Sequence, residues 1–322
     1  MKVQAHLDPV SRKKIRQHIS KYPHFHDAVK RIHRIYCKLT GNFHVLPDFY
    51  IIGTEKGGTS SLYGYLVQHP DIYSAVTKEI NFFGRYYLRG INWYKVNFPS
   101  KFQKFFREKI LRKKFLTGEA SVRYLDHPHA AYRIKETTPN AKFIILLRNP
   151  VNRAYSQHSM IVRGGHENLS FEEAVEKESI RTKVEFEKMK KDPSYYSNSF
   201  FRYSYLSRGI YVNSLKLWMS IFPKENFLIL NSEEFFKNPS KIFNRTLDFL
   251  NVKNIDLDEY KVFRAQNKNP PMNQTLREKL EQFFIPHNQK LYDFLKIDFG
   301  WERFDNIQDK RIQRFQEEIS YS

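Results

Sequence analysis

Short apolar runs alternate along this chain with longer stretches of helical periodicity. Phe49-Ile52, Phe115-Thr117, Phe143-Leu147 and Phe227-Leu230 are nearly continuous in apolar residues, as strands covered on both faces should be. Helical patterns follow them, over Thr59 to Gln68, Pro128 to Thr137, Val151 to Val162 and Pro239 to Leu250. Strand-then-helix repetition predicts an α/β fold in which a parallel sheet is covered on both sides. In such a fold ligands sit beyond the carboxyl ends of the strands. The pattern also predicts a charged helix over Ser170 to Lys191, solvated on most of one face, and a last helix from about Gln274 to Leu295. Asn198 to Arg208 is rich in Tyr, Phe and Arg; it suits core or lid, or the wall of a sugar or nucleobase site.

Near the start, Ala28, Val29, Ile32, Ile35, Tyr36 and Leu39 recur at helical spacing with Lys30, Arg31 and Arg34 between them. Two readings of this basic amphipathic helix stay open: packing against its own domain, and peripheral contact with a membrane surface. The expected organisation is a basic helical extension over 1–45, one domain over 46–305 and a tail over 306–322. No internal repeat or low-complexity linker interrupts it.

Composition narrows the partners. A chain of 322 residues with 41% hydrophobic content can bury a sizeable core. Its 54 Lys and Arg against 34 Asp and Glu give a formal charge of +20. That points to an anion: nucleic acid, an acidic membrane, a phosphorylated nucleotide or a polyanionic glycan. Cys37 is the single cysteine, which excludes an intramolecular disulfide and argues against a thiolate zinc site. The histidine pairs His24/His26 and His127/His129 lack carboxylate or cysteine partners at ligand spacing, so they read as structural or surface residues and no metal is expected. No apolar run approaches the length of a membrane span, and the first twenty or so residues lack the apolar core of a secretory signal. The expectation is a soluble, cytoplasmic protein.

The candidate chemistry begins with "DFYIIGTEKGGTSSLYGYL", Asp48 to Leu66, read as strand, glycine loop and helix start. A mononucleotide P-loop has the form GxxxxGK[ST] and turns backbone N–H groups toward phosphate. Gly53, Gly58 and Ser60 keep that frame, but Thr59 stands in place of the lysine and Lys56 sits in mid-loop. An NTPase also needs a metal-holding acid at another strand end; the other apolar strands end at Glu119, Arg148 and Asn231, of which only Glu119 is acidic. A second feature is "TKEINFF", where Glu79 stands between Lys78 and an apolar-aromatic run that can raise its basicity by desolvation. The third is "KFIILLRNPVNRAYSQHSM": Arg148 ends a strand, Pro150 opens a helix, and Ser156 lies about two turns into it, a possible anion clamp. A sulfuryl-transfer site, a P-loop kinase or NTPase, and a basic nucleic-acid-binding protein are the competing readings. No helix-turn-helix, zinc or RNA-binding signature supports the last.

Taken together and in this order, the motifs resemble the sulfotransferases that use 3′-phosphoadenosine 5′-phosphosulfate, most closely the heparan-sulfate-type group with its P-loop-like three-layer sandwich. The resemblance covers about residues 47 to 302 and also includes "INWYKVNFP", "GEASVRYLDHP", "RGIYVNSLKLWMSIFPKENFLILNSEEFFKNP" and "LYDFLKIDFGW". It implies that Lys56, Gly57, Gly58, Thr59 and Ser60 grip the 5′ end of that nucleotide. Lys56 would neutralise charge on the bridging oxygen, with no metal required. It implies that Arg148 and Ser156 clamp the 3′-phosphate, that Lys268 in "QNKNPP" reaches the same phosphate, and that Tyr211 helps enclose the nucleotide or serves structure. Glu79 would be the general base, with Lys78 orienting it or the sulfonate. Asn81 stands where the group often carries histidine, and Ala120 where it often has lysine; Arg123 is the replacement charge, so Lys78, Asn81 and Arg123 form the expected acceptor side. The expected acceptor is a hydroxyl or amine of a carbohydrate or glycolipid, with nucleic acid excluded as partner.

Overall fold

The computed structural model describes residues 23–261 and 271–301, with side chains from 31 onward. Five parallel strands form its centre: β1 (Phe49–Gly53), β2 (Ile72–Ser74), β3 (Leu116–Ala120), β4 (Lys142–Leu147) and β5 (Phe227–Asn231), in the order β2-β3-β1-β4-β5. The longer helices are α1 (Pro23–Thr40), α2 (Thr59–Leu66), α3 (Ala130–Thr137), α4 (Pro150–Arg163), α5 (Glu178–Lys191), α6 (Tyr211–Ile221), α7 (Pro239–Phe249) and α8 (Gln274–Leu295).

The three layers follow from the two-residue period of a strand. Phe49 and Ile51 of β1 pack with Leu62 and Leu66 of α2 and with Ile242, Phe243 and Leu247 of α7. Tyr50 and Ile52 face the other way, onto Ala130 and Ile134 of α3 and Leu215 and Trp218 of α6. With both faces covered, every residue of β1 is buried. β1 and β3 pair Phe49 with Gly118, and a Cβ there would lie 2.4 Å from the Phe49 ring, so only glycine lets the ring lie flat across β3. A third apolar cluster joins Val151 and Ala154 of α4 to Leu276, Leu280 and Phe284 of α8.

Two expectations need correction. β2 escapes the apolar-run criterion because it is a three-residue edge strand with only Ile72 fully buried. The single helix expected over Ser170–Lys191 is two, Phe171–Glu176 and then α5, with Lys177 between them. The cause is Glu178, whose buried carboxylate accepts hydrogen bonds from the backbone N–H groups of Tyr205, Leu206 and Ser207.

Of the two readings of the basic helix, packing against the domain holds for Cys37, which alone among residues 31–39 is buried. Ile32, Ile35, Tyr36 and Leu39 are exposed. Among the described residues no helix is long and apolar enough to cross a membrane.

Candidate active site

Three hydrogen bonds from the ends of β4 and β5 hold the glycine loop that joins β1 to α2. From β4, the Leu146 carbonyl accepts from the Thr54 N–H at 3.1 Å. One residue past β4, Arg148 donates to the Lys56 carbonyl at 2.9 Å. From the end of β5, the Ser232 hydroxyl donates to the Gly57 carbonyl at 2.9 Å. Contact is so close that a Cβ on Gly57 would stand 2.7 Å from the Leu146 oxygen. Gly58 has φ +94° and begins the helix, which a side chain would resist. Lys56 holds φ 73°, a left-handed conformation that costs about 1–2 kcal/mol and that the surrounding bonds impose. The first-turn N–H groups of α2, those of Thr59 and Ser60 included, have no intrahelical carbonyl, and the positive end of the helix dipole adds to them. The Thr54 hydroxyl is buried in the same loop without a hydrogen-bond partner.

Arg148 sits beside this loop, and Ser156 lies two turns along the helix that follows it. Burial pulls the Arg148 pKa down from its ordinary value, against the nearby Glu233 and Tyr211, but an arginine stays cationic at neutral pH. Asn149 caps α4 by accepting from the Asn152 N–H, Pro150 takes the first helical position, and Ser156 is buried further along the helix. Glu233 fixes the turn, accepting from the Asn149 N–H at 3.0 Å and from the Trp301 indole N–H at 3.2 Å. Tyr211, fully buried, donates its hydroxyl to the Arg148 carbonyl at 2.7 Å. It therefore positions the arginine from behind.

The segment carrying Glu79 is sewn to the chain leaving β3. Its N–H reaches the Ala120 carbonyl at 2.9 Å. One carboxylate oxygen meets Lys78 Nζ at 2.6 Å and the other accepts from the Val122 N–H at 3.3 Å. The Asn81 and Phe83 N–H groups go to the hydroxyls of Ser121 and Tyr124. Both Glu79 and Asn81 have positive φ, and the Asn81 amide donates to the Glu79 carbonyl at 2.9 Å. So Asn81 shapes the turn that presents Glu79, while its side-chain oxygen stays buried and unpartnered. β1 and β3 are hydrogen-bonded neighbours, which sets the glycine loop and Glu79 at adjoining strand ends.

Arg123 donates to the Tyr196 hydroxyl at 2.8 Å and lies over Phe201. Next to it, exposed Arg85 lies over Tyr86 and Tyr196, and Arg89 over Tyr86 and Trp93. This wall of rings and cations was not apparent in the sequence, since its members come from segments more than a hundred residues apart. The aromatic stretch after Asn198 gave a partial signal: Phe200, Phe201 and Tyr205 prove to be core. Sequence reasoning also missed the ion pair between Glu55 in the loop and Arg208. His127 is buried against Tyr196 and Phe201, and burial together with Arg133 and His129 pushes its pKa down to about 3. Lys268 lies outside the described residues.

Glu119 is no metal-holding acid at a strand end. It is fully buried on the face of Tyr50 and Tyr94. Burial pushes its pKa up to about 7; the hydroxyls of Tyr124, Tyr94 and Ser121 oppose the rise and Glu79 adds to it.

Residues 46–290 match the family model described as sulfotransferase domain. The chain is 29% identical to the membrane-associated sulfotransferase kil1 of Dictyostelium discoideum, over 81% of this chain and 68% of that one. It is 26% identical to the human heparan sulfate glucosamine 3-O-sulfotransferase 6, over 79% of this chain and 73% of that one. Among solved structures, a sulfotransferase from Alicyclobacillus acidocaldarius superposes with a TM-score of 0.59 at 31% identity, covering 80% of this chain and 99% of that one.

Proposed function

Because this chain belongs to the sulfotransferase domain family, we propose that it moves a sulfuryl group from 3′-phosphoadenosine 5′-phosphosulfate to a hydroxyl or amine of a carbohydrate or glycolipid. The observation that carries the donor assignment is the hydrogen bond from Arg148 to the Lys56 carbonyl, which ties two cationic groups, each at its own strand end, into one anion cradle. The residues suit a nucleotide phosphorylated at both 3′ and 5′ positions. Gly57 and Gly58 let the loop close against the Leu146 carbonyl and the Phe235 and Phe236 rings where a Cβ would collide, the first N–H groups of α2 would meet a phosphate, and the buried Thr54 hydroxyl has no partner.

When bound, the donor supplies a sulfuryl group whose leaving group is already a phosphate. Lys56 and the loop N–H groups offset the charge that grows on the bridging oxygen as the sulfur–oxygen bond breaks. Arg148 and Ser156 hold the 3′-phosphate, and Tyr211 keeps Arg148 in place. Glu79 accepts the proton of the acceptor hydroxyl while its oxygen bonds to sulfur. Lys78 and the Val122 N–H keep that carboxylate aimed. The acceptor reading rests on the relatives named for heparan sulfate and on the wall of Arg85, Arg89, Arg123, Tyr86, Trp93 and Tyr196, where ring faces pack sugars and cations meet acidic groups.

Thermal shift with 3′-phosphoadenosine 5′-phosphate and with ADP tests the donor site. The reading expects a clear rise with the first and much less with the second; equal rises would remove the 3′-phosphate assignment. A kinase reading is not favoured: residues 46–290 match the sulfotransferase domain model, and Glu119, the acid near the end of β3, is fully buried.

A further inference from the structure

The helix α1 presents an apolar stripe that no part of the described chain covers. Ile32, Ile35, Tyr36 and Leu39 share one face of the helix at three- and four-residue spacings, with Phe43 just beyond its end, and they are 67, 52, 49, 67 and 68% exposed. Arg31, Arg34 and Lys38 flank the stripe, and none has an acidic partner among the described residues.

A second stripe starts beside the first. Helix Lys101–Phe105 runs on into a wider turn over Phe106–Ile110, and Phe102, Phe105, Phe106, Ile110 and Leu111 are 74, 54, 43, 58 and 43% exposed. The stretch 101–114 reads KFQKFFREKILRKK, with Glu108 its only acid. Arg107 is held by Asp71, and Lys104 lies near Asp48 and Glu108. Lys101, Lys109, Arg112 and Lys113 are exposed and unpaired among the described residues. An antiparallel bridge joins His44 to Ser100, so Phe43 and Phe102 leave the same point of the fold.

Such surfaces have three occupants to choose between. A second copy of the chain would set cations against cations across a face that carries almost no acid. A nucleic acid or free glycan would pair with the cations and leave ten large apolar side chains in water. An anionic bilayer satisfies both groups, because rings and aliphatic chains enter the interface while Lys and Arg stay at the headgroups. We propose that α1 and the 101–111 helix dock the protein on an anionic lipid surface.

Sedimentation of the full chain with phosphatidylcholine vesicles, with and without phosphatidylserine, tests this. Binding is expected with phosphatidylserine, falling as salt rises. Each neutralised cation (Lys101→Gln, Lys109→Gln or Arg112→Gln) is expected to weaken it about fivefold. Ile32→Ser/Leu39→Ser and Phe102→Ser/Phe106→Ser should each abolish most of it. All these side chains are exposed, and an unchanged thermal shift with 3′-phosphoadenosine 5′-phosphate certifies the fold. No binding to phosphatidylserine vesicles overturns the proposal. So does binding that survives both serine pairs, which would mark a plain polyanion site, or dimerisation that those pairs abolish in the absence of vesicle binding.

Discussion

Arg208 is buried and spans two carboxylates, donating from Nη1 to Glu55 at 2.6 Å and from Nε to Asp126 at 2.7 Å. Burial works to raise the Glu55 pKa, and the charges of Arg208 and Arg123 overcome it and hold it below the usual carboxylate range. Glu55 directly precedes Lys56, so this ion triad anchors the glycine loop from beneath. Breaking a buried pair strands a charge. Arg208→Ala should cost roughly 3–5 kcal/mol of stability, read as a lower denaturation midpoint. The triple change Glu55→Gln/Asp126→Asn/Arg208→Met, which leaves no lone charge, should recover much of that loss.

Gly57→Ala tests the fit of the loop. Its Cβ would press on the Leu146 carbonyl and the Ser232 hydroxyl, an overpacking cost of about 1–3 kcal/mol. Cooperative unfolding should persist while the stabilisation by 3′-phosphoadenosine 5′-phosphate disappears. Retained stabilisation would show that the nucleotide does not enter this loop.

Glu79→Gln keeps the shape of the base and removes its basicity. Sulfuryl transfer should fall by about 10²–10⁴, with calorimetric binding of 3′-phosphoadenosine 5′-phosphate unchanged. Near-normal turnover would assign proton removal elsewhere. Lys56→Ala should cut transfer by roughly 10²–10³.

Arg148→Ala should erase the preference for the 3′-phosphorylated nucleotide, bringing its affinity close to that of ADP. An equal loss of affinity for both nucleotides would instead mean that Arg148 serves only to hold the Lys56 carbonyl.

Glu119 gives the fold a pH dependence. Its folded-state pKa of about 7 lies above the ordinary glutamate value of 4.5, so the folded chain binds the proton more tightly. Its contribution to stability is full below pH 4.5 and is lost as pH rises through about 7, a change on the order of 3 kcal/mol. Glu119→Gln, neutral throughout, should remove that fall. Denaturation of both proteins at about pH 4 and about pH 8, each about one unit or less outside this window, measures the difference; parallel behaviour would show that Glu119 does not titrate there.

Local pattern revealed much of this molecule. β1, β4 and β5 are buried on both faces and so read as apolar runs, and α8 matched its expected bounds because its periodicity is strong and capped by Asn273. The glycine loop and the strand-end arginine were legible for the same reason: each is a contiguous motif. What stayed hidden depends on topology. Arg208 meets its partners across 153 and 82 residues, and the break at Lys177 arises because Glu178 bonds backbone 27 to 29 residues on. Glu79 looks like a surface acid beside a lysine until Ala120 and Val122 fix its place.

The hydrogen bond between the guanidinium of Arg148 and the Lys56 carbonyl sets a fixed gap as well as a place. β1 and β4 are paired strands, roughly 4.8 Å apart, and this bond stops their outgoing turns from drifting independently. The cradle therefore acts as a caliper. On the proposed donor reading, a nucleotide whose two charged ends are spaced differently would fill one jaw only by vacating the other, so selection would fall on the separation between the ends more than on the base.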